Sequence, residues 1–303
     1  MRRRGRWTKR ILALYFVVFL LFLYGPMIVM AALSFQGPQG AVTFPMRGLG
    51  FHWWDELLNG PRSDTIRETA IRSLQLSIVS GLVVAVLAFS LSMGYRRRFR
   101  FDGALFYLIM LALMTPGILL SLGTSFFWRF MDTQTSLWQT ALGTNVVWGL
   151  PFGFLIMVAV WNRYDSTVEE ASRYLGASGF RTFREVTLPL VWTGLLGAFL
   201  FGFTLAWNEY DRTALLAAGD NTLPLEIFSL TVGSVIRPDL YALGTATTAV
   251  SLIGVGLFLL VAAIVLRRRA RSLAPQAPQE EYGELATDGT GAVPVGAPVS
   301  RAR

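Results

Sequence analysis

Long apolar runs separated by short, arginine-bearing polar turns dominate the chain. Six stretches, at about 11–33, 70–93, 104–128, 141–161, 190–210 and 241–266, are each long and apolar enough to cross a hydrocarbon core of roughly 30 Å. Backbone N–H and C=O groups find no water in hydrocarbon, so runs of this length predict helices. A membrane barrel would instead alternate polar and apolar residues over segments of about ten. The pattern therefore predicts an all-α integral membrane protein with six spans. Pro116 and Pro151 fall inside the third and fourth spans and predict breaks or kinks there. Gly149 with Gly153, and Gly194 with Gly197, predict close helix contacts.

The polar remainder divides the chain further. Residues 1–10 form a basic tail and 11–33 the first span. Residues 34–69 form a loop with Gly37, Pro38, Gly40 and Pro45 as breakers, then the cluster Phe51-His52-Trp53-Trp54, a pattern common where helices meet the membrane–water boundary. The helical body runs over 70–266. Residues 267–303 follow as a tail whose Ala, Pro, Gly and Gln carry no helical period from 272 on, as in disordered segments.

Charge orients these elements. If six helices alternate, 20 of the 27 Lys and Arg residues fall on one side. They sit in the N-terminal tail, in the turn with Arg96, Arg97, Arg98 and Arg100, between spans four and five (Arg163, Arg173, Arg181, Arg184), and after span six (Arg267, Arg268, Arg269, Arg271, Arg301, Arg303). Positive residues stay cytoplasmic, so both termini and the 162–189 segment are expected in the cytosol of a multi-pass membrane protein. Arginines split among membrane-flanking turns do not make a nucleic-acid surface. A cleaved leader is the weaker reading of the N-terminus, because Ile11 to Leu33 exceeds a leader core of about 7–15 residues.

Composition removes other classes. The chain of 303 residues is 53% hydrophobic and 15% charged, against about 25% charged in soluble domains. It has no Cys, and its single His52 leaves no second imidazole for a metal cluster. Its only lysine is Lys9, so a phosphate-binding G-x-x-x-x-G-K-[ST] loop cannot be written anywhere in it. If ATP drives this protein, another subunit binds it.

Residues 162–189 carry the most local information. Ser166 with Glu169 three residues on predicts a capping box before a short helix. Val168, Ala171 and Leu175 share one side at helical spacing, and Gly176 stands where a helix commonly ends in a left-handed residue. A second short helical stretch follows with Phe180 and Phe183 on one face, and Leu188-Pro189 starts span five. The expected object is a helix–turn–helix with an apolar stripe flanked by Glu169, Glu170, Arg173, Arg181 and Arg184. On physical grounds it serves equally as a docking site for a soluble partner or as two helices lying on lipid headgroups.

Here the sequence resembles a known family. Glu170-Ala171-Ser172, Gly176 after three residues, and Val186-Thr187-Leu188-Pro189 after nine more are similar to the EAA signature of type I permeases. These are the membrane subunits of ATP-binding-cassette importers that depend on an external binding protein. Ser172 replaces Ala and Val186 replaces Ile of the family pattern, with the spacing intact. Thr115-Pro116-Gly117, Leu150-Pro151-Phe152, the run 222–229 and the run 236–243 resemble most the second permease subunit of spermidine/putrescine importers.

The resemblance implies a coupling helix at about 166–176 that docks on an ATPase subunit, with Ala171 and Gly176 allowing close approach and Glu170 adding a polar contact. It also implies Glu169, Ser172, Leu175, Leu188 and Pro189 as parts of that coupling site. Two ATPase subunits would carry the ATP and Mg, with no cofactor or metal in this chain and no catalytic residue. A second permease, an external solute-binding protein and the lipid bilayer complete the implied partners, in a bacterial cytoplasmic membrane.

Ionisable residues at the end of span five are the candidates for the solute path. Asn208, Glu209 and Asp211, with Arg212 beside them, would attract a polyamine's ammonium groups, and Trp207 and Tyr210 would add cation–π contacts of about 0.5–2 kcal/mol. Ordinary charges where a span meets water are the plain alternative. The neighbourhood is similar but not identical to that of polyamine permeases, and Ala206-Trp207-Asn208-Glu209 also resembles sugar importers of the same superfamily. Polyamine is the first expectation, other small cations or organic solutes the second, sugars or oxyanions the third. A membrane enzyme lacks a nucleophile–base arrangement, and a scaffold or sensor would not need the signature.

Overall fold

The computed structural model describes residues 4–40, 42–97, 100–233 and 237–272, and these are helical apart from turns and one isolated bridge between Gln36 and Leu49. Helix α1 spans Arg4–Leu33, α2 His52–Asn59 and α3 Ser63–Arg96. Then come α4 (Asp102–Met114), α5 (Gly117–Phe130), a π-helical turn at Leu137–Ala141, and α6 (Leu142–Trp161). Helices α7 (Thr167–Tyr174) and α8 (Gly179–Thr182) lead through a second π-helical turn, Phe183–Thr187, into α9 (Leu188–Trp207). Helices α10 (Leu223–Gly233) and α11 (Pro238–Ser272) close the order.

Five of the described helical stretches are long and apolar enough to cross a membrane. The expected third span is not one straight helix: α4 and α5 meet at 102° and count as a sixth span only if taken together. Pro116 is the cause. It pushes Thr115 into extended backbone (φ −77°, ψ 118°), so α4 stops at Met114. Pro151 behaves differently from expectation, since α6 runs through it without interruption.

Helices α3, α6 and α9 pack against one another as the centre of the unit formed by residues up to Leu260. What lets them is small side chains. Apart from Leu76, the buried stripe of α3 holds no side chain larger than valine: Thr69, Ser73, Ser77, Ser80, Gly81, Val84, Ala85, Ala88 and Ser92, at three- and four-residue steps. Lipid chains are as apolar as Leu, so close van der Waals contact between small residues holds such helices together. At the crossing, a Cβ on Gly202 of α9 would stand 2.9 Å from the Gly81 Cα of α3, and one on Gly149 of α6 would stand 3.2 Å from the Gly202 Cα. Larger side chains enter on either side of this crossing, with Met157, Trp161 and Val191 buried towards one end.

The loop at 34–69 is less open than its breakers suggest. It holds α2, and Trp53 is buried with Leu57, Trp207, Leu223 and Leu243. Phe51 and His52 are the exposed members of that aromatic cluster, and Trp54 is half-buried. Arg237, just before α11, pairs with Glu56 of α2 at 2.7 Å. Helix α10 is pinned to the bundle where the Leu223 N–H donates to the Ser73 hydroxyl at 2.7 Å. The second unit is Val261–Arg303. Its described part, through Ser272, is helical, so the helix takes in 267–272 of the expected tail. Arg2, Arg3, Arg98, Ile236 and residues 273–303, with Arg301 and Arg303, lie outside the described residues.

Candidate functional site

The elbow between α6 and α9 is built from its caps inward. The expected capping box does not form, as the Ser166 side chain makes no cap hydrogen bond. Asp165 takes that role, its Oδ1 accepting from the Thr167 N–H at 2.9 Å and the Thr167 hydroxyl at 2.8 Å. These bonds hold the Asp165 carboxyl below the ordinary aspartate value. At the other end Gly176 has φ +84°, and its N–H reaches the Arg173 carbonyl at 2.9 Å while Ala177 N–H reaches that of Ser172 at 3.2 Å. This is the left-handed ending that glycine adopts without a Cβ penalty. Ser172 and Thr182 hydroxyls lie 3.1 Å apart, tying α7 to α8.

Glu169 turns inward because better partners than a backbone N–H wait there. Arg96, at the end of α3, grips both carboxylate oxygens at 3.1 and 3.2 Å. Tyr164 and Thr187 hydroxyls donate to the Oε1 at 2.9 and 3.0 Å. Charge-assisted and forked, this pairing is stronger than a neutral cap bond. Burial by itself would lift the Glu169 carboxyl, but the hydrogen bonds from Arg96, Tyr164 and Thr187 and the guanidinium charge together hold it below its ordinary value. Burial, chiefly, pushes the Tyr164 phenol up, and Glu169 beside it adds to that against the pull of Thr187.

The outward side of the elbow is apolar. Leu175 is 90% exposed, Tyr174 89% and Phe180 73%. Glu170 and Ala171 are exposed beside them, and Val168 is 42% exposed. Phe183 leaves the stripe expected of it and packs on Phe89 of α3, ring centroids 5.9 Å apart. Leu188 and Pro189 are half-buried in the first turn of α9.

At the opposite end, α9 stops at Trp207, and 208–211 form a turn rather than the end of a span. Trp207 belongs to the core beside Trp53. The Asn208 amide donates back to the Thr204 carbonyl at 2.9 Å. Glu209 is buried and bound to Arg212: both oxygens lie 3.1 Å from one guanidinium nitrogen, and the Arg212 N–H donates at 2.9 Å. That guanidinium sits over the Trp148 ring at 3.8 Å. Asp211 is exposed, while its carbonyl accepts from Ser121 of α5 at 2.9 Å. Tyr210 lies against Phe228, centroids 4.5 Å apart, and with Trp207, Asn208, Thr231 and Thr247 these rings line a cavity of about 360 Å³.

The two groups of expected residues thus assemble at two ends of one bundle. Arg96, Tyr164, Thr187 and Asp165 are the elbow residues that sequence reasoning missed. Asp165 had a signal, an acceptor two residues before the helix. Arg96 had none beyond its place in a basic turn, 73 residues from its partner.

A polytopic helical bundle carrying a tethered elbow with an exposed apolar face defines a membrane-embedded subunit. The chain belongs to the family of binding-protein-dependent transport system inner membrane components, whose model matches residues 86–275. It is a multi-pass inner-membrane transport subunit. It is 26% identical over 242 residues to the spermidine/putrescine transport system permease protein PotC of Haemophilus influenzae, covering 79% of this chain and 91% of that one. The Escherichia coli putrescine transport system permease protein PotI is 26% identical over 262 residues, 83% and 89% of the two chains. A bacterial ABC transporter of alginate import superposes with a TM-score of 0.61 at 17% identity, over 87% of this chain and 98% of that one. The methionine ABC transporter MetNI, inward-facing, gives 0.53 at 18% identity over 69% and 97%. The fold is that of ABC importer membrane subunits.

Proposed function

We propose that this chain is a permease subunit of an ATP-driven importer that passes a polyamine across the cytoplasmic membrane by alternating access. The 166–176 elbow docks on a separate ATPase subunit, in a complex with two such ATPases, a second permease and an external solute-binding protein. Both termini and the elbow face the cytosol. The observation that carries this reading is the elbow's outward surface. Tyr174, Leu175 and Phe180 present a large apolar face on a segment whose other side is fixed to the bundle, which suits a soluble partner that must push without slack.

The solute assignment draws on the names of the relatives and on the aromatic cavity. Tyr210, Phe228 and Trp207 give an organic cation ring faces, and Asp211 is an exposed carboxylate nearby, whereas Glu209 already neutralises Arg212. The test is uptake of labelled spermidine by proteoliposomes holding the full complex. Gly176→Pro, which breaks the φ +84° ending, and Glu170→Lys each abolish ATP-driven uptake while membrane insertion stays normal. Asp211→Asn weakens spermidine uptake with ATP hydrolysis intact. Normal uptake in both elbow variants would overturn the coupling role, and an unaltered Asp211→Asn variant would overturn the solute path.

A further inference from the structure

The elbow is joined by the chain itself to α6 on one side and to α9 on the other. Helix α3 has no such link, although it packs against both and forms the glycine crossing with α9. Among the described residues, the hydrogen bonds and ion pair that join α7 to α3 are those of Arg96 with Glu169. We propose that Arg96 is a positioning residue for energy coupling: it makes the elbow and α3 one stiff piece, so that a displacement of the elbow reaches all three core helices together.

The geometry is that of a clamped strut. The Arg96 guanidinium lies over the Trp161 ring at 4.6 Å and the Tyr164 ring at 5.3 Å. Trp161 is itself held by its Nε1–H on the Ser92 hydroxyl at 3.0 Å, one turn back along α3. The far end of the strut is closed by Tyr164 and Thr187 on the same Glu169 oxygen. Four elements, α3, the loop that follows α6, α7 and the turn entering α9, therefore meet at one carboxylate. A flat, forked cation is needed for this. Arginine binds two carboxylate oxygens and stacks on rings at once, whereas a lysine ammonium is a point charge on a flexible stem. Arg96→Lys is thus the discriminating change, since it keeps the charge and loses the fork and the stacking.

The geometry stands by itself, and its consequence for transport rests on the importer reading, so two measurements separate them. In proteoliposomes with the whole complex, uptake and ATP hydrolysis are followed side by side. Arg96→Lys is expected to leave ATP hydrolysis near its starting rate and to lower solute moved per ATP by about tenfold, the scale of losing a charge-assisted hydrogen bond. An unchanged ratio overturns the proposal. So does hydrolysis that falls in step with uptake, which would make Arg96 part of the docking surface. The second measurement needs no partner. The chain has no Cys, so spin labels at Leu175→Cys and Val86→Cys, both exposed, report the elbow–α3 distance in detergent. The strut predicts a narrow distribution that broadens in Arg96→Lys, and an equally narrow one overturns it. A complex with no ATP-driven uptake at all sinks the importer reading, and the label distances then decide the strut.

Discussion

Two glutamates, Glu169 and Glu209, share their chemistry and differ in what it does. Each is held by an arginine whose guanidinium lies over a tryptophan, Arg96 over Trp161 at 4.6 Å and Arg212 over Trp148 at 3.8 Å. Arg212 stands three residues from its glutamate, so that pair closes a turn and adds no tie between distant parts of the chain by its own bond. Arg96 is 73 residues from Glu169, so that pair joins two elements. An ion pair's mechanical meaning therefore comes from the sequence distance it spans. The Glu209 pair is also the drier, with side chains 8–9% exposed against 13% and 24%.

Breaking the drier pair should have the largest effect. Arg212→Leu strands a buried carboxylate, for which a loss of about 3–5 kcal/mol is expected, read as a drop in melting temperature in detergent. Removing both charges, Glu209→Leu with Arg212→Leu, should recover most of it, because no unpaired charge remains. The same double change at Arg96 and Glu169 should restore stability but not solute moved per ATP. Equal behaviour of the two doubles would erase the distinction between a turn-closing and an element-joining pair. A smaller loss, about 1–2 kcal/mol, is expected for Gly176→Ala, since nothing crowds the position and only its left-handed backbone objects. Faster motion of a label at Leu175→Cys would report it.

Acid should loosen the elbow later than an ordinary glutamate would allow. The folded Glu169 carboxyl is held below its unfolded value, so its contribution is complete above that unfolded value and fades as pH falls towards the depressed one. The protection of amides over 166–176, taken relative to the intrinsic exchange rate at each pH, should hold through mildly acidic pH and fall only below the usual glutamate range. Protection lost already near neutrality would mean the tether is not ionic. Smallest is Asp165→Ala, which removes an exposed cap: exchange at Thr167 rises and uptake is unchanged.

Much of this architecture was legible in the chain. Apolar length gave the spans because hydrocarbon forces backbone groups to pair locally, and Pro116 announced the α4–α5 bend for the same local reason. Gly176 was readable because a helix ending is a local event. The short α10 and the burial of Trp53 were not, since each depends on what packs against it. Ser166 misled: a capping box is a pattern of spacing, and the pattern lost to an arginine that spacing could not foresee.

The sequence by itself determined what short-range physics controls: which segments are helices, where they stop, and how basic turns alternate along the chain. Tertiary structure alone decided which charges meet. Whether a glutamate faces solvent, closes a turn or ties two elements depends on partners tens of residues away, because the gain from pairing a charge in a dry place follows distance in space and takes no notice of order along the chain.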